Sequence, residues 1–295
     1  MTSPNRLLTV HALTGVHPGS GTALGAVDLP IQRERHTDWP VISGSSIKGV
    51  LRDVARRRKM PRAELEAIFG SEPGAEKLSA GAVAITDARI LAFPVRSLKG
   101  VFAWVTCPGV LERLARDLAA AGMESPPAWP KPAANHAAFA DVLAVDGQVV
   151  FEEFDFARQV NTEQSRGEVA EWIAARMPND KATQERFKDH LAILHDDDFT
   201  HFVRHGTEVV ARIGLDHDTK TVKKGALFHQ EFLPPETLVY GMILPTDERR
   251  KDGMKADQVS EKLAEHVAKG DFGVLQIGGD ETIGKGICAV RFTGE

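Results

Sequence analysis

Residues 45–59, SSIKGVLRDVARRRK, have apolar and basic residues spaced as on a helix. The apolar residues recur at positions i, i+3, i+4 and i+7 and so form one face: Ile47, Val50, Leu51 and Val54. The basic residues fall on an adjoining face, since their spacings return to the same side of the helix: Lys48, Arg52, Arg56 and Lys59. Ser45 or Ser46 can cap the first turn. The stretch therefore predicts an amphipathic helix with a cationic stripe.

The segments on either side of this helix predict strands and further helices. Strands are expected over residues 6–13, 82–93 and 101–107, and helices over residues 62–69 and 108–121. Pro108 in the first turn and Gly122 just past the end fit the bounds of the last helix. This order over the first 122 residues is that of a ferredoxin-like fold before its last strand.

The rest of the chain begins after a proline-rich linker and mixes both kinds of element. Asp146-Gly147 predicts a hairpin between residues 141–145 and 148–156, and helical periodicity returns at 167–177 and 182–195. Two strands at 207–215 and 225–233, joined by the polar turn 216–224, predict a protruding hairpin. A strand at 237–244, a helix at 256–268 and strands at 273–277 and 287–292 close the chain.

Composition indicates a globular protein with a face for a polyanion. Hydrophobic residues make up 42% of the 295 residues and charged residues 26%. The net charge is −5, yet residues 1–62 hold 10 Lys and Arg against 4 Asp and Glu, which leaves 26 against 37 for the remainder. We expect no signal peptide, no membrane span, and no zinc or disulfide framework from the two cysteines. A cytoplasmic protein is the simplest interpretation.

Asp28 is a lone acid in the apolar run AVDLPI, just after a glycine-rich loop. An ordinary turn carboxylate is the simpler interpretation of one acid. His17 lies eleven residues earlier, so the two side chains can converge if the loop folds back.

Residues 279–286, GDETIGKG, nearly match the phosphate-binding loop of nucleotide triphosphatases. Gly286 stands where that motif has a hydroxyl residue, and too few residues follow for the helix that the motif requires. We therefore expect a loop whose backbone approaches a ligand, with Thr282 and Lys285 able to touch phosphate. A tight hairpin connection is the alternative.

A cluster of His and Asp at residues 190–205 is a second candidate centre. His201 and His205 are four apart, so on a helix they can share a metal ion, and residues 196–198 supply carboxylates. No second cluster at a matching spacing lies elsewhere in the sequence, so a solvated helix end is the favoured interpretation.

Three segments together resemble one family: HPGSGTALGAVDLPIQRERHTDWPVISGSSIKGVLRD (17–53), ALFHQEFLPPETL (226–238) and IGGDETIGKG (277–286). The chain resembles the repeated backbone subunit of the type III-B CRISPR effector, the Cmr complex, within the RAMP superfamily. VDLPIQRE followed by PVISGSSIKGVLRD is the specific part. The terminal glycine-rich loop marks the wider superfamily.

The resemblance implies an α+β fold with a ferredoxin-like (RNA-recognition-like) palm, insertions and a protruding β-hairpin thumb. We accordingly expect a single domain over residues 1–295, with the palm at 1–122 and 234–295, insertions at 123–205 and the thumb at about 206–233. Copies stack along a CRISPR guide RNA beside other subunits of the effector complex. Each thumb wedges into the duplex with complementary target RNA, which is cut at regular intervals. The resemblance also implies that the cutting depends on Mg²⁺ or another divalent cation, and we expect no membrane partner.

The resemblance and the residue patterns described above together assign roles to individual residues. The expected catalytic residues are Asp28, which also binds the metal ion, and His17. The expected RNA-binding residues are Ser45, Ser46, Lys48, Arg52, Arg56, Gly278, Gly279, Thr282 and Lys285. Related subunits carry acidic and aromatic residues in the segment written here FHQEFLP, so Gln230 and Phe232 depart from the pattern and leave Glu231 as the acid. Two alternatives stay open, a backbone subunit that binds RNA without cutting and a metallohydrolase that uses residues 190–205.

Overall fold

The structure, a computed structural model, describes residues 4–72, 74, 78–178, 181–250, 252–268 and 272–294. Within this part of the chain the strands are, in order, β1 (Arg6–Ala12), β2 (Val41–Ile42), β3 (Val83–Ile85), β4 (Ala88–Arg96), β5 (Phe102–Thr106), β6 (His136–Ala138), β7 (Gln148–Phe151), β8 (Phe154–Arg158), β9 (Leu191–Leu194), β10 (Glu208–Leu215), β11 (Val222–Phe232), β12 (Leu238–Pro245), β13 (Phe272–Gln276) and β14 (Ile287–Thr293). The helices are α1 (Gly44–Arg57), α2 (Arg62–Phe69), α3 (Pro108–Ala120), α4 (Glu163–Ala174), α5 (Lys181–His190), α6 (Asp196–His205) and α7 (Ala256–Val267). The elements predicted before residue 122 and after residue 206 are confirmed to within a few residues, except that the one strand predicted over 82–93 is divided into β3 and β4.

Helix α1 forms because its apolar face has a core to bury against. Ile47 and Leu51 are fully buried, and the helix packs against α2, α7 and β3. It begins at Gly44, whose N–H donates to Asp87 Oδ1 at 2.7 Å. A Cβ on Gly44 would lie 2.4 Å from the Ile85 carbonyl oxygen, so this helix start requires glycine.

The prediction that Ser45 or Ser46 caps α1 is wrong. The N-cap residue is Ser43, and Ser45 and Ser46 lie in the first turn with exposed side chains. The carboxylate of Asp87 reaches this helix start from the turn before β4 and accepts the Gly44 N–H, one of the first N–H groups that have no partner within the helix.

The large sheet runs in the order β13, β14, β1, β12, β4, β5, β9, β6, β8, β7, with β2 beside β4 and β3 beside β12. β1 lies between β14 and β12 and is antiparallel to both, and β12 is antiparallel to β4. The four central strands, in the spatial order β14-β1-β12-β4, thus come from both ends of the chain. In the sequence, α1 follows β1, and α7 lies between β12 and β14. The strand predicted at 101–107 is β5, which lies outside this group and leads the sheet toward β9.

The hairpin predicted at Asp146-Gly147 is wrong in its pairing. Val145 and Gln148 do close a tight turn, but residues 141–143 form a short 3₁₀ turn instead of a strand. The observed hairpin pairs β7 with β8, one turn later, because Val149 and Phe156 bury their side chains there. The Asp146-Gly147 sequence therefore correctly predicted a turn, but β7 pairs with the strand that follows it and not with the residues before the turn.

The helix predicted over 182–195 is also too long. Helix α5 ends at His190, and the next four residues form β9, which is parallel to β5 and antiparallel to β6. All four side chains of β9 are buried. A run of apolar residues fits a strand covered on both faces as well as a helix end, so its periodicity could not separate the two.

The hairpin β10–β11 is confirmed and forms a two-stranded sheet of its own, apart from the large sheet. Its outer part exposes apolar side chains such as Ile213 (53%) and Leu227 (58%). A two-stranded hairpin is at best marginally stable alone, so its base needs other contacts. They come from the loop after β1, through isolated bridges from Val16 to Leu233 and from Leu29 to Gln230.

One cluster of buried apolar side chains extends from β1 and α1 through β4 and β12 to β9 and α6. The insertions thus share a continuous core with the central strands. No helix within the described ranges has the length and apolar character needed to cross a membrane.

Candidate functional site

The loop after β1 lies along the edge of β11 that faces away from β10. Val16 exchanges backbone hydrogen bonds with Leu233, while Leu29 donates to His229 O and accepts from Glu231 N, both at 3.0 Å. The loop folds back on itself, with Gly19 bridged to Ile31. This fold brings the two ends of the loop to one strand edge, which is the condition under which His17 and Asp28 can converge.

Asp28 is fixed at that edge while its side chain stays half-exposed. Its Oδ2 accepts a hydrogen bond from the backbone N–H of His229 at 2.7 Å. The His229 imidazole Nδ1 lies 3.6 Å from the same oxygen, and the side chain of Asp28 is 52% exposed. A carboxylate held in one place and open to solvent can meet a ligand.

His17 is buried at the same edge. Its Nδ1 donates to the carbonyl of Glu231 at 2.7 Å, and its ring lies 5.6 Å from that of Phe232. Two close approaches of the backbone surround it. A Cβ on Gly19 would lie 2.7 Å from His17 Nε2, and one on Gly278, whose φ is +89°, would lie 2.5 Å from His17 O.

The structure thus anchors both predicted catalytic residues to β11. Asp28 bonds to position 229 and His17 to position 231, which are two residues or about 7 Å apart along the strand. His229 was missed as a single residue, although it lies in the segment 226–238 that carried the resemblance.

Glu231 and Arg33 form a buried ion pair below this edge, 2.6 Å apart. Glu231 also accepts hydrogen bonds from Ile31 N at 3.0 Å and Thr207 Oγ1 at 2.7 Å. Burial alone would raise the pKa of Glu231, but the hydrogen bonds from Ile31, Arg33 and Thr207 outweigh it and hold the pKa below its ordinary value. The carboxylate is therefore a charged brace between the loop and the hairpin base.

Arg33 extends the brace to helix α6. Its guanidinium donates to the carbonyl oxygens of Val203 at 3.0 Å and Arg204 at 3.4 Å, at the end of that helix. It also donates to Asp38 O at 2.9 Å. One side chain thus joins the loop, the hairpin and the insertions. The partners in the hairpin and in α6 are far from Arg33 in the sequence, so the spacing of residue types could not indicate this role of Arg33.

The terminal glycine-rich loop lies beside the edge of β11. Gly279 N donates to His17 O at 3.0 Å, and Gly286 N donates to Gly15 O at 2.9 Å. Lys285 Nζ lies 4.9 Å from the centre of the Phe232 ring, next to His17. The structure therefore brings His17 together with Gly278, Gly279 and Lys285. Strand β14 follows this loop, where a nucleotide-binding motif would have a helix.

The cationic stripe of α1 is partly engaged by the protein itself. Lys48 Nζ donates to Val83 O at 2.8 Å, and burial, followed by the nearby charge of Arg52, lowers the pKa of Lys48. Arg56 binds Asp53, its neighbour on the helix, at 2.5 Å. Lys59 lies past the helix with a left-handed backbone (φ 63°), so it does not belong to the stripe.

The two predicted RNA-binding elements lie close together. Arg57 of α1 has its Nη1 3.7 Å from Glu281 Oε1 in the terminal loop, next to the exposed Thr282. The terminal loop therefore sits between α1 on one side and the edge of β11 on the other. Ser45 and Ser46 lie at the opposite end of α1, in its first turn.

The cluster at residues 190–205 is divided among structural contacts. Asp196 Oδ1 accepts from Gly109 N at 2.8 Å, at the start of α3, and Asp198 Oδ2 accepts from Asn135 N at 3.1 Å. The rings of His201 and His205 are neighbours, with centres 4.9 Å apart. Asp196 and Asp198 thus bond to the backbone at the start of α3 and just before β6.

Asp28 fits a cation that a substrate helps to hold. Within the described residues, no group of three or more His, Cys, Asp or Glu could hold a metal ion. A resident zinc site needs three or four protein ligands. Mg²⁺, in contrast, keeps several waters and uses one or two carboxylates together with substrate phosphates. The one half-exposed carboxylate of Asp28 therefore matches the requirements of Mg²⁺ and not those of a resident zinc ion.

Comparison with known proteins places the chain in a family. The profile of the RAMP superfamily matches residues 9–289. The CRISPR system Cmr endoribonuclease Cmr4 of Pyrococcus furiosus is 40% identical over 285 residues, which cover 96% of this chain and 94% of that protein. The chain belongs to the Cmr4 family of RAMP proteins. The resemblance seen in residues 17–53, 226–238 and 277–286 is thereby confirmed.

Solved Cmr4 structures share the fold over nearly the whole chain. A crystal structure of oligomeric Cmr4 from Pyrococcus furiosus has a TM-score of 0.78 and 36% identity, and the match covers 98% of each chain. A chain in the cryo-EM structure of a type III-B Cmr-beta complex bound to cognate target RNA has a TM-score of 0.75, covering 98% of this chain and 96% of that one. At 21% identity, the second match supports the fold alone.

Proposed function

We propose that this chain is the repeated backbone subunit of a type III-B CRISPR ribonucleoprotein, which holds guide RNA and cleaves complementary target RNA at regular intervals. The observation that carries the cleavage is the placement of Asp28, a half-exposed carboxylate fixed by a backbone N–H at the base of a protruding hairpin. Its Pyrococcus furiosus relative is named an endoribonuclease, which agrees with this assignment.

The central strands and two helices serve as the RNA-recognition-like palm. Their order, β14-β1-β12-β4 with α1 and α7 as the connections, matches the ferredoxin-like arrangement. The palm takes residues 1–122 and 234–295, the insertions 123–205 and the thumb about 206–233. Because the hairpin pairs with no strand of the large sheet in the described residues, it can project into a neighbouring duplex.

Guide RNA runs across α1 and the terminal loop. Phosphates meet the start of α1 at Ser45 and Ser46, where helical N–H groups and the helix dipole favour anions. Arg52 and Arg56 continue the cationic surface along that helix, and Lys48 braces it against β3. Gly278, Gly279, Thr282 and Lys285 supply the close approach of the terminal loop. Further copies of the chain and other subunits of the complex extend this track.

Cleavage follows from the chemistry of RNA. The ribose 2′-oxygen bonds to the adjacent phosphorus, the bond from phosphorus to the 5′-oxygen breaks, and the 2′-hydroxyl proton is lost as the leaving oxygen gains one. The thumb holds the backbone so that attacking and leaving oxygens are in line, which is most of the catalytic work. Asp28 supplies fixed negative charge at this point, as a ligand for a cation first and a proton acceptor second. A bound Mg²⁺ would neutralise charge on the reacting phosphate. His17 orients the loop that presents Asp28.

The test compares Asp28→Asn with wild type in the complex assembled on guide RNA. Asparagine keeps the shape and loses the charge, so we expect near-normal assembly and target affinity. Cleavage should fall by a factor of about 100 or more, equivalent to about 3 kcal/mol of barrier. Asp38→Asn is the matched control, because Asp38 has similar exposure (53%) in the same region. Cleavage at a near wild-type rate in the Asp28 variant would leave a binding scaffold as the function.

A further inference from the structure

A closed set of three side chains joins the hairpin to the terminal loop. Arg212 of β10 donates to Gln230 Oε1 at 2.6 Å and pairs with Asp280 Oδ1 at 2.9 Å. Gln230 of β11 donates to Asp280 Oδ2 at 2.7 Å and is 4% exposed. Each group thus contacts the other two, and the amide at the centre is shielded from water.

Asp280 is held by the loop to which it belongs. Its backbone is left-handed, with φ 66° and ψ 30°, and its carbonyl accepts from Ile283 N at 3.1 Å and Lys285 N at 3.2 Å. The same residue therefore shapes the turn that carries Lys285 and reaches across to the hairpin. A shift of this turn displaces the carboxylate that Gln230 binds.

Gln230 is the immediate neighbour of the residue that holds Asp28. The backbone N–H of His229 donates to Asp28 Oδ2, and Leu29 is bridged to Gln230 itself. The path from the terminal loop to Asp28 consequently runs through Asp280, Gln230 and the backbone of His229. Each step is a direct bond.

The charges of the set also suit a loop that faces phosphate. A bare carboxylate at position 280 would repel a phosphate bound by Lys285 or Thr282. Arg212 neutralises it, and both partners are mostly buried, at 26% and 21% exposure, so solvent and salt screen this pair less than an exposed pair.

We propose that Arg212 and Asp280 are positioning residues that couple guide RNA in the terminal loop to the placement of Asp28. The inference rests on the proposed function, since it assigns the terminal loop to guide RNA and the cutting to Asp28. Neither residue touches the reacting atoms. They act by holding Gln230, and therefore the strand position that carries Asp28, in register with the bound guide.

The decisive experiment separates guide binding from cutting in the assembled complex. Asp280→Asn removes a negative charge beside the loop, so labelled guide RNA should bind as tightly as to wild type or a few-fold more tightly. Arg212→Gln exposes the Asp280 charge, so guide affinity should fall a few-fold. In both variants, cleavage of complementary target at saturating concentration should fall by about tenfold, because the bond to the hairpin is broken. If the two residues position Asp28, the two variants should change guide affinity in opposite directions and lower the cleavage rate alike.

Glu281→Gln is the matched control, with the same change of charge one residue further along the same loop. It faces Arg57 and not the hairpin, so it should raise guide affinity as Asp280→Asn does and keep the wild-type cleavage rate. The double variant Arg212→Gln, Asp280→Asn should cut no more slowly than the worse single variant, because both changes break one contact.

A measurement on the unaltered protein supports the same test. Loading guide RNA should slow hydrogen exchange of backbone amides in residues 227–232, and Asp280→Asn should remove part of that protection. If wild type cuts target while Asp280→Asn cuts as fast as Glu281→Gln, or if guide loading leaves these amides unchanged, the coupling is refuted. A wild-type complex that neither binds guide nor cuts target would refute the proposed function, and this inference with it.

Discussion

Replacing Glu231 with glutamine tests whether a buried charge holds the hairpin base to the loop that carries Asp28. The substitution keeps the size of the side chain and removes the negative charge that faces Arg33 at 2.6 Å. Glutamine retains one oxygen for Ile31 N or Thr207 Oγ1, but it cannot serve all three donors that Glu231 now serves.

The expected loss in the free energy of unfolding depends on which hydrogen-bond partners Arg33 loses and which it keeps. Removing one partner of a buried ion pair costs about 3–5 kcal/mol. Arg33 keeps three carbonyl acceptors, those of Asp38, Val203 and Arg204, so we expect a loss of about 2–3 kcal/mol. With an unfolding entropy of about 2.1 cal/mol/K per residue over 295 residues, the Tm falls by about 3–5 °C.

The loss should depend on pH in a definite direction. The pKa of Glu231 is lowered in the folded protein, because its hydrogen bonds outweigh the effect of burial. Such a group stabilises the fold above its unfolded-state pKa, and this contribution is lost as pH falls through the folded-state pKa. The difference in Tm between wild type and variant is therefore largest near pH 7 and shrinks below the ordinary glutamate range, about 4.3.

Thermal unfolding followed by circular dichroism from pH 7 down to about pH 2 measures both effects, because the contribution of Glu231 is lost only below the ordinary glutamate pKa. Glu153→Gln is the control, since Glu153 is exposed in the turn between β7 and β8 and should move the Tm by less than about 1 °C. A Tm within about 1 °C of wild type for Glu231→Gln at pH 7 would show that the pair contributes no net stability. A gap that stays constant with pH would assign the loss to packing and not to charge.

Three further predictions concern RNA and metal. Replacing Lys48 and Arg52 with alanine should weaken RNA binding about equally for all sequences. The slope of log binding constant against log salt concentration should become shallower by about one unit per lost phosphate contact. An unchanged slope would mean that these side chains face protein or solvent and not RNA. Replacing residues 216–221 with a shorter polar turn should leave the Tm unchanged, because this segment is exposed and only joins the paired residues Leu215 and Val222. The change should disturb the spacing of cuts in target RNA, and cuts at the normal positions would exclude the hairpin as thumb. Calorimetry of the chain without RNA should detect no Mg²⁺ site tighter than about millimolar, while chelation should stop cleavage in the loaded complex, since Asp28 offers one carboxylate.

Helix α1 could be predicted because every signal for it is local. Ile47 and Leu51 fall on one face within two turns of chain, and the structure buries both. The same holds for the hairpin at β10 and β11, whose strands are separated by a short polar turn. Strand β9 could not be predicted in this way, because four consecutive apolar residues have no period that distinguishes a strand from a helix.

The candidate site depends on contacts that local pattern does not carry. The bond between Asp28 and His229 joins residues 201 positions apart, and that between Arg33 and Glu231 joins residues 198 positions apart. Spacing indicated Asp28 only as an ordinary turn carboxylate, and the family resemblance was needed to single it out. Neither spacing nor the resemblance indicated the brace formed by Glu231 and Arg33, because the partners of these two residues come from a loop, a hairpin and a helix end.

Main-chain atoms of β11 hold both candidate catalytic residues. The N–H of His229 holds Asp28 and the carbonyl of Glu231 holds His17, so their placement depends on the register of the strand. A slip of one residue would turn these groups to the opposite edge. The side chains of Gln230 and Phe232 bond to neither Asp28 nor the Nδ1 of His17, whose partners are main-chain atoms. A change at Gln230 would therefore reach Asp28 only through the backbone of β11, by altering how the strand is held to the terminal loop at Asp280.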